Sequence, residues 1–378
     1  MVAGIYVHIP FCIRKCKYCD FASFPGSIGE MDVYHRTLIK EIESTESGGR
    51  AVDSVFFGGG TPSVYPVELM EDLLCKLRDK FKLNTNECEI TMEANPGTLT
   101  RDKLLRYKKA GINRISVGHQ SADNKELKTL GRIHDFETFK KSYLLAREAG
   151  FENINIDLMS GIPGQTVESF TNSLNEVIKL NPAHISVYSL IVEEGTPFFE
   201  LCGDGGEYEA LLPDEDTDRE MYHRTKDILG KAGYNRYEIS NYSKAGTECR
   251  HNLKYWDCEE YFGFGLAAAS YIDGERYTNT ADMREYIEAE GSPELIRRDK
   301  EFIDAGAQMS EYMILGLRKT SGVSISRFKE KFNASIYEVF GEKIEKFIEN
   351  GLLINQGDRL FLSDYGTDVS NQVFMEFL

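Results

Sequence analysis

Along the first 240 positions, short runs of β-branched and aromatic residues alternate with longer stretches whose apolar positions recur every three or four residues. Residues 4–8 form the first such run. Residues 32–43, with Val33, Leu38, Ile39 and Ile42 at helical spacing, form the first helix, and Ser47-Gly48-Gly49 ends it. The same reading predicts strands over 52–57, 89–94, 114–117, 153–158, 184–190 and 234–239. Helices are predicted over 67–81, 101–110, 136–149 and 167–180, and from the acidic loop 213–218 to position 232. Strands separated by helices of this length pair in parallel through crossover connections. Six or seven such units imply an α/β protein built on a partial or full (β/α) barrel, with its chemistry in the loops that follow the strands.

The pattern changes near Ala305. Residues 310–317, 325–332 and 337–349 read as helices, and two short apolar runs around Asn355-Gln356-Gly357-Asp358 read as a hairpin. Three helices and a hairpin give a small α+β, winged-helix-like unit. Its third helix carries Glu338, Glu342, Glu345 and Glu349, which favours a docking or lid role over DNA binding. The expected division is therefore a barrel core over 1–240, a connecting region over 241–304 and a C-terminal domain over 305–378.

The loop after the first strand carries Cys12, Cys16 and Cys19 in C-x3-C-x2-C spacing. Three thiolates on so short a loop suit the corner of an iron-sulfur cluster and leave one of four irons without a protein ligand. A structural zinc site is the alternative. It needs a fourth ligand, for which His8 is the nearest candidate at a poorly placed strand end. Other chemistry-bearing residues also follow strands: Gly58-Gly59-Gly60-Thr61, Glu93-Ala94-Asn95, Gly118-His119-Gln120, and Asp157 ahead of Gly161-Ile162-Pro163-Gly164-Gln165. The triple glycine lets backbone approach a ligand and offers amide hydrogens to it.

Composition narrows the setting. With 44 Lys and Arg against 61 Asp and Glu, the formal charge of -17 opposes nonspecific binding to nucleic acid or to anionic membrane. No run approaches the length of a membrane span, and the N-terminus lacks a signal-peptide pattern. A cytoplasmic location is expected, with peripheral membrane contact left open. Cys75, Cys88, Cys202, Cys249 and Cys258 lack disulfide-scaffold density and read as scattered thiols; a second metal site at Cys249 and Cys258 is the lesser reading.

Taken together, Tyr6-Val7-His8-Ile9-Pro10-Phe11-Cys12, Phe57-Gly58-Gly59-Gly60-Thr61-Pro62-Ser63, Glu93-Ala94-Asn95-Pro96-Gly97-Thr98, Leu130-Gly131-Arg132-Ile133-His134 and Asp157 to Thr166 resemble the radical S-adenosylmethionine (SAM) superfamily. Within it they resemble the oxygen-independent coproporphyrinogen III oxidase group, and most of all its heme chaperone branch, HemW. The resemblance runs through nearly the whole chain. It implies a partial (β/α) barrel of radical SAM type. It also implies a [4Fe-4S] cluster on Cys12, Cys16 and Cys19, whose open iron is chelated by SAM's methionine and whose electron yields a 5'-deoxyadenosyl radical. Gly59, Gly60 and Thr61 are implied to meet the methionine end of SAM. Glu93, Gln120, Arg132 and Asp157 are implied to position its polar groups, with Tyr6 and Tyr18 beside it.

Two features turn the resemblance from the oxidase to the chaperone. Asp20-Phe21 follows Cys19 where the oxidase carries a further cysteine, and only three residues precede the first strand where the oxidase has a longer segment. His251-Asn252-Leu253-Lys254-Tyr255-Trp256 matches the H-N-x-x-Y-W element of HemW-like proteins. His251 is thereby a candidate axial ligand for heme, with Asn252, Tyr255 and Trp256 beside it, against the alternative of a packing motif. Two departures stand out: Ala269 replaces a histidine the family commonly has, and His119 occupies a usually apolar position, where it reads as a wall residue. The implied function is heme binding and delivery to a respiratory hemoprotein, with flavodoxin or ferredoxin as electron donor and a homodimer left open. The alternative is catalysis by the radical, either porphyrinogen decarboxylation of coproporphyrinogen-dehydrogenase type or methylation.

Overall fold

The computed structural model describes residues 2–83 and 87–378. Six parallel strands form its core: β1 (Val2–Ile9), β2 (Ala51–Gly59), β3 (Glu89–Ala94), β4 (Arg114–Gln120), β5 (Asn153–Ser160) and β6 (His184–Ser189), hydrogen-bonded in that order. A seventh parallel strand, β7 (Tyr261–Phe264), pairs with the other side of β1. Helices Ile28–Ser44, Val67–Lys80, Arg101–Lys109, Phe136–Glu148, Val167–Leu180 and Glu215–Lys231 connect the strands. Ile5, Val55, Met92, Ile115, Ile156 and Ile185 have no exposed surface, as expected for strands covered on both faces.

The barrel is partial. Its sheet runs out to antiparallel strands at both edges: Asn241–Ser243 and Asn235–Arg236 beyond β6, and Ala269–Ile272, Glu275–Asn279 and Arg297–Phe302 beyond β7. The expected strand over 234–239 is therefore corrected. Only Asn235–Arg236 forms a strand, antiparallel to its neighbour, and Glu238 adds an isolated antiparallel bridge to Lys319, because the chain turns back after Tyr237 instead of crossing over. The strand that extends the parallel set, β7, follows no long helix and was hidden from a reading based on alternation. The first helix also starts earlier than its apolar spacing suggested. Ser27 and Glu30 form a capping box, each side chain bonding the other's backbone N–H, which begins the helix at Ile28.

Helices Ala305–Gly316, Ile325–Phe332 and Ile336–Glu349 pack with the hairpin Leu353–Gln356 and Arg359–Leu362 around a separate apolar core that includes Phe328, Ile344, Phe347 and Phe377. This C-terminal unit meets the barrel through Asp257, which takes Lys319 at 2.5 Å and Arg327 at 3.3 Å, and through Arg318, stacked 4.6 Å above the ring of Trp256. No helix among the described residues is long and apolar enough to cross a membrane.

Candidate functional site

Strand direction sends the segments after β1 to β5 to one end of the barrel, and there they surround a cavity of about 570 Å³. Cys12, Cys16 and Cys19 line its rim as free thiols. Phe24 O receives the Cys12 N–H at 3.0 Å, and Leu130 O receives the Lys17 N–H at 3.1 Å, so the cysteine loop is tied at both ends. The glycines explain how β2 meets this loop. At Gly59, with φ +104°, an added Cβ would stand 2.6 Å from the His8 ring, and at Gly60 it would stand 2.8 Å from Phe11 O.

The expectation that these glycines offer free amides is corrected. Gly60 N–H and Thr61 N–H donate to Ile9 O (2.9 Å) and Phe11 O (2.8 Å), and Gly59 N–H donates to the Glu93 carboxyl. Their amides hold the cysteine loop and a cavity acid.

A chain of side chains links the cysteines across the rim. Cys12 Sγ lies 3.3 Å from Thr61 Oγ1, which accepts from Asn95 Nδ2 at 2.8 Å; Asn95 Oδ1 accepts from Arg132 Nη2 at 2.7 Å, and Arg132 Nη1 donates to Cys16 Sγ at 3.5 Å. Arg132 also donates to Gly118 O. Three thiols with a fixed guanidinium beside them suit a thiolate-ligated, electron-rich group, since the cation offsets its negative charge. A fourth zinc ligand is not supplied by His8: its Nε2 bonds Ala22 O at 2.8 Å and its Nδ1 lies 3.2 Å from Tyr6 OH. No trio of His, Cys, Asp or Glu among the described residues stands where it could hold a single metal ion.

Deeper in, burial governs the acids. Desolvation, reinforced by the neighbouring charge of Asp157, pushes the Glu93 carboxyl up to about 8, against the opposing pull of the Gly59 amide. Asp157 is raised in the same direction by burial, while Asn155 and Ser186 oppose the rise. Tyr6 and Tyr18 are both held above the ordinary phenol range by burial. Gln120 reaches the cavity through a bulge. The β4 register slips between Gly118 and Gln120, and Gln120 takes φ +79°. The residue displaced by that slip, His119, is fully buried outside the cavity, its ring stacked on Phe139 with centroids 3.6 Å apart. Among the described residues neither ring nitrogen has a partner, and burial keeps it neutral.

The structure thus brings Tyr6, Tyr18, Gly59, Gly60, Thr61, Glu93, Gln120, Arg132 and Asp157 around one cavity with the three cysteines. It divides the H-N-x-x-Y-W element. Asn252 lines the cavity, whereas His251 is 1% exposed and spends both ring nitrogens, Nδ1 on Ser54 Oγ at 3.0 Å and Nε2 on Tyr255 OH at 2.8 Å. Trp256 lies beneath Arg318. Asn95, from the motif after β3, lines the cavity too, as do Arg114, Ser116 and Asn155, which the motifs leave out. Their signal was available: polar residues at every second position of otherwise apolar strands.

The family model described as the Radical SAM superfamily matches residues 6–177, and that of the HemN C-terminal domain matches residues 303–369. The heme chaperone HemW of Lactococcus lactis is 39% identical over 99% of this chain and 96% of its own length. That of Bacillus subtilis is 38% identical over 99% and 98%. The solved structure of coproporphyrinogen III oxidase (HemN) from Escherichia coli superposes with a TM-score of 0.86 at 23% identity, covering 99% of this chain and 89% of that one, a likeness of fold.

Proposed function

The chain belongs to the HemW heme chaperone family within the radical SAM superfamily, and from that premise we propose that it is a cytoplasmic heme chaperone that binds a [4Fe-4S] cluster, SAM and heme and passes heme to respiratory hemoproteins. The observation that carries this reading is the end-to-end likeness to the HemW proteins of two bacteria, joined to a three-cysteine rim over a cavity of ligand size. Cys12, Cys16 and Cys19 are the proposed cluster ligands. The superfamily implies both cluster and SAM, and when bound they supply one-electron chemistry at the sulfonium.

The chain's own residues do the positioning. Arg132, braced by Asn95 and Gly118, holds a fixed positive charge beside Cys16 and is the proposed partner of a SAM polar group. Thr61 ties the first cysteine to the same brace. Glu93 carries a proton near neutral pH and becomes a full acceptor for ribose hydroxyls or an ammonium once it loses that proton. Tyr6 and Tyr18 supply apolar walls with hydroxyl tips. An electron donor such as flavodoxin or ferredoxin, and a homodimer, complete the proposed setting.

Anaerobic reconstitution with iron and sulfide, then SAM and reductant with either heme or coproporphyrinogen, tests the reading. Tight heme binding without carbon dioxide release supports the chaperone. Porphyrinogen-dependent 5'-deoxyadenosine with carbon dioxide release overturns it in favour of an oxidase.

A further inference from the structure

Arg114 opens β4, at the end of the strand away from the cysteine loop, and lines the cavity although only 2% of its surface is exposed. Around it lies a layer of polar side chains that satisfy one another. Asn155 Nδ2 donates to Ser116 Oγ (2.8 Å) and Asp157 Oδ1 (2.7 Å); its Oδ1 receives Ser186 Oγ (3.1 Å) and lies 2.6 Å from His184 Nδ1. His184 Nε2 in turn lies 2.7 Å from Tyr237 OH. Arg114 takes no part in this layer. Among the described residues its side chain has neither a hydrogen-bond nor an ion-pair partner, and its Nε is buried and unmatched.

A guanidinium presents five donors and stays protonated in proteins. Buried cations are ordinarily paired; Glu89 and Asp157 act on this one through space only, so its donors remain open to an anion in the cavity. The fork geometry favours a planar carboxylate, which it can grip through two parallel N–H···O bonds. Charge argues the same way. Asp157 lines the same cavity and opposes a dianion such as phosphate more than a monoanion, and its oxygens are turned to Asn155 and Ser116. We propose that Arg114 is a ligand anchor that binds a carboxylate of the cavity's occupant at the deep end of the barrel. This rests on the reading of the cavity as a SAM and tetrapyrrole site. That reading makes the group a propionate of the tetrapyrrole, because SAM's methionine end belongs at the cysteine loop, at the other end of the strand.

The test is a set of titrations of reconstituted wild-type protein, Arg114→Met and Arg114→Lys with hemin, hemin dimethyl ester and SAM, alongside thermal unfolding without ligand. Arg114→Met removes a buried charge that Glu89 and Asp157 favour through space without touching it, so the unfolding midpoints of the two variants serve to separate loss of folding from loss of binding. Hemin affinity is expected to fall about tenfold to a hundredfold in Arg114→Met and less in Arg114→Lys, which keeps charge without the fork. The dimethyl ester is expected to bind all three proteins equally and weakly. A loss confined to SAM overturns the anchor, as does unchanged hemin affinity in folded Arg114→Met. Failure of the wild-type protein to bind hemin removes the chaperone reading and the anchor together, whereas wild-type hemin binding that Arg114→Met leaves unchanged removes the anchor alone.

Discussion

His251 Nδ1 lies 3.0 Å from Ser54 Oγ, joining the helix Arg250–Trp256 to the interior of β2. With Nε2 engaged by Tyr255 OH and the ring stacked 5.4 Å from Phe56, the imidazole is a packing element of the barrel wall. Burial first, then the nearby Lys254 and Arg114 charges, lower its pKa to about 3, which keeps it neutral at physiological pH. His251→Ala is therefore expected to cost on the order of 2 kcal/mol, since the buried Ser54 hydroxyl and the half-buried Tyr255 hydroxyl lose their partner. Chemical denaturation measures this. The folded variant should keep the wild-type Soret spectrum with heme; a lost or shifted Soret band at unchanged stability assigns His251 to the iron instead.

Single Cys12→Ala, Cys16→Ala or Cys19→Ala substitutions should abolish iron and sulfide incorporation on anaerobic reconstitution. Cys249 is buried against Glu89 with its thiol pushed up to about 12, mainly by burial, so Cys249→Ala should retain full iron content. Iron retained at the wild-type level in any of the first three variants contradicts the ligand assignment.

With Glu93 as the proposed acceptor for SAM, the affinity is expected to depend on pH. Its carboxyl titrates near 8, so below that value SAM must displace a proton before Glu93 can act as a charged acceptor. Affinity should rise with pH and level off above about 8, and calorimetry across buffers should detect proton release on binding. Glu93→Gln should flatten the profile. A wild-type profile independent of pH between 6 and 9, in the range about the shifted carboxyl, contradicts this role.

Glu41 joins the first helix to the chain beyond β7. It accepts from Gly265 N at 2.9 Å, Asn279 Nδ2 at 2.7 Å and Tyr286 OH at 2.5 Å. Glu41→Ala strands three donors and should cost on the order of 3 kcal/mol, read by denaturant unfolding. Burial raises its carboxyl from 4.5 to about 7 against the pull of those donors. The folded state therefore holds a proton that the unfolded chain gives up. This contribution is complete below about pH 4.5 and is lost as pH rises through about 7. Glu41→Gln should remove that slope from the stability profile.

Periodicity alone placed the six parallel strands, most of the connecting helices and the C-terminal helices and hairpin, because an apolar run between helical stretches has few other ways to bury itself. Motif spacing placed the cysteine loop and the polar residues that follow β2 to β5 at one end of the barrel. These are local properties: strand direction and loop position decide which end of a barrel a residue occupies. The contacts between segments distant in sequence were beyond its reach. The slip at Gly118 that sends His119 outward and turns Gln120 inward depends on the register with β5. The pairing of β7 with β1 closes a gap of more than two hundred residues and leaves no periodic trace. His251 and Arg114 show the division most clearly. One is a candidate ligand whose nitrogens Ser54 and Tyr255 already hold; the other is a strand residue outside every motif whose donors, among the described residues, touch no acceptor in the cavity. Residue type announced chemistry in both, but only tertiary packing decided which side chain remains free to bind.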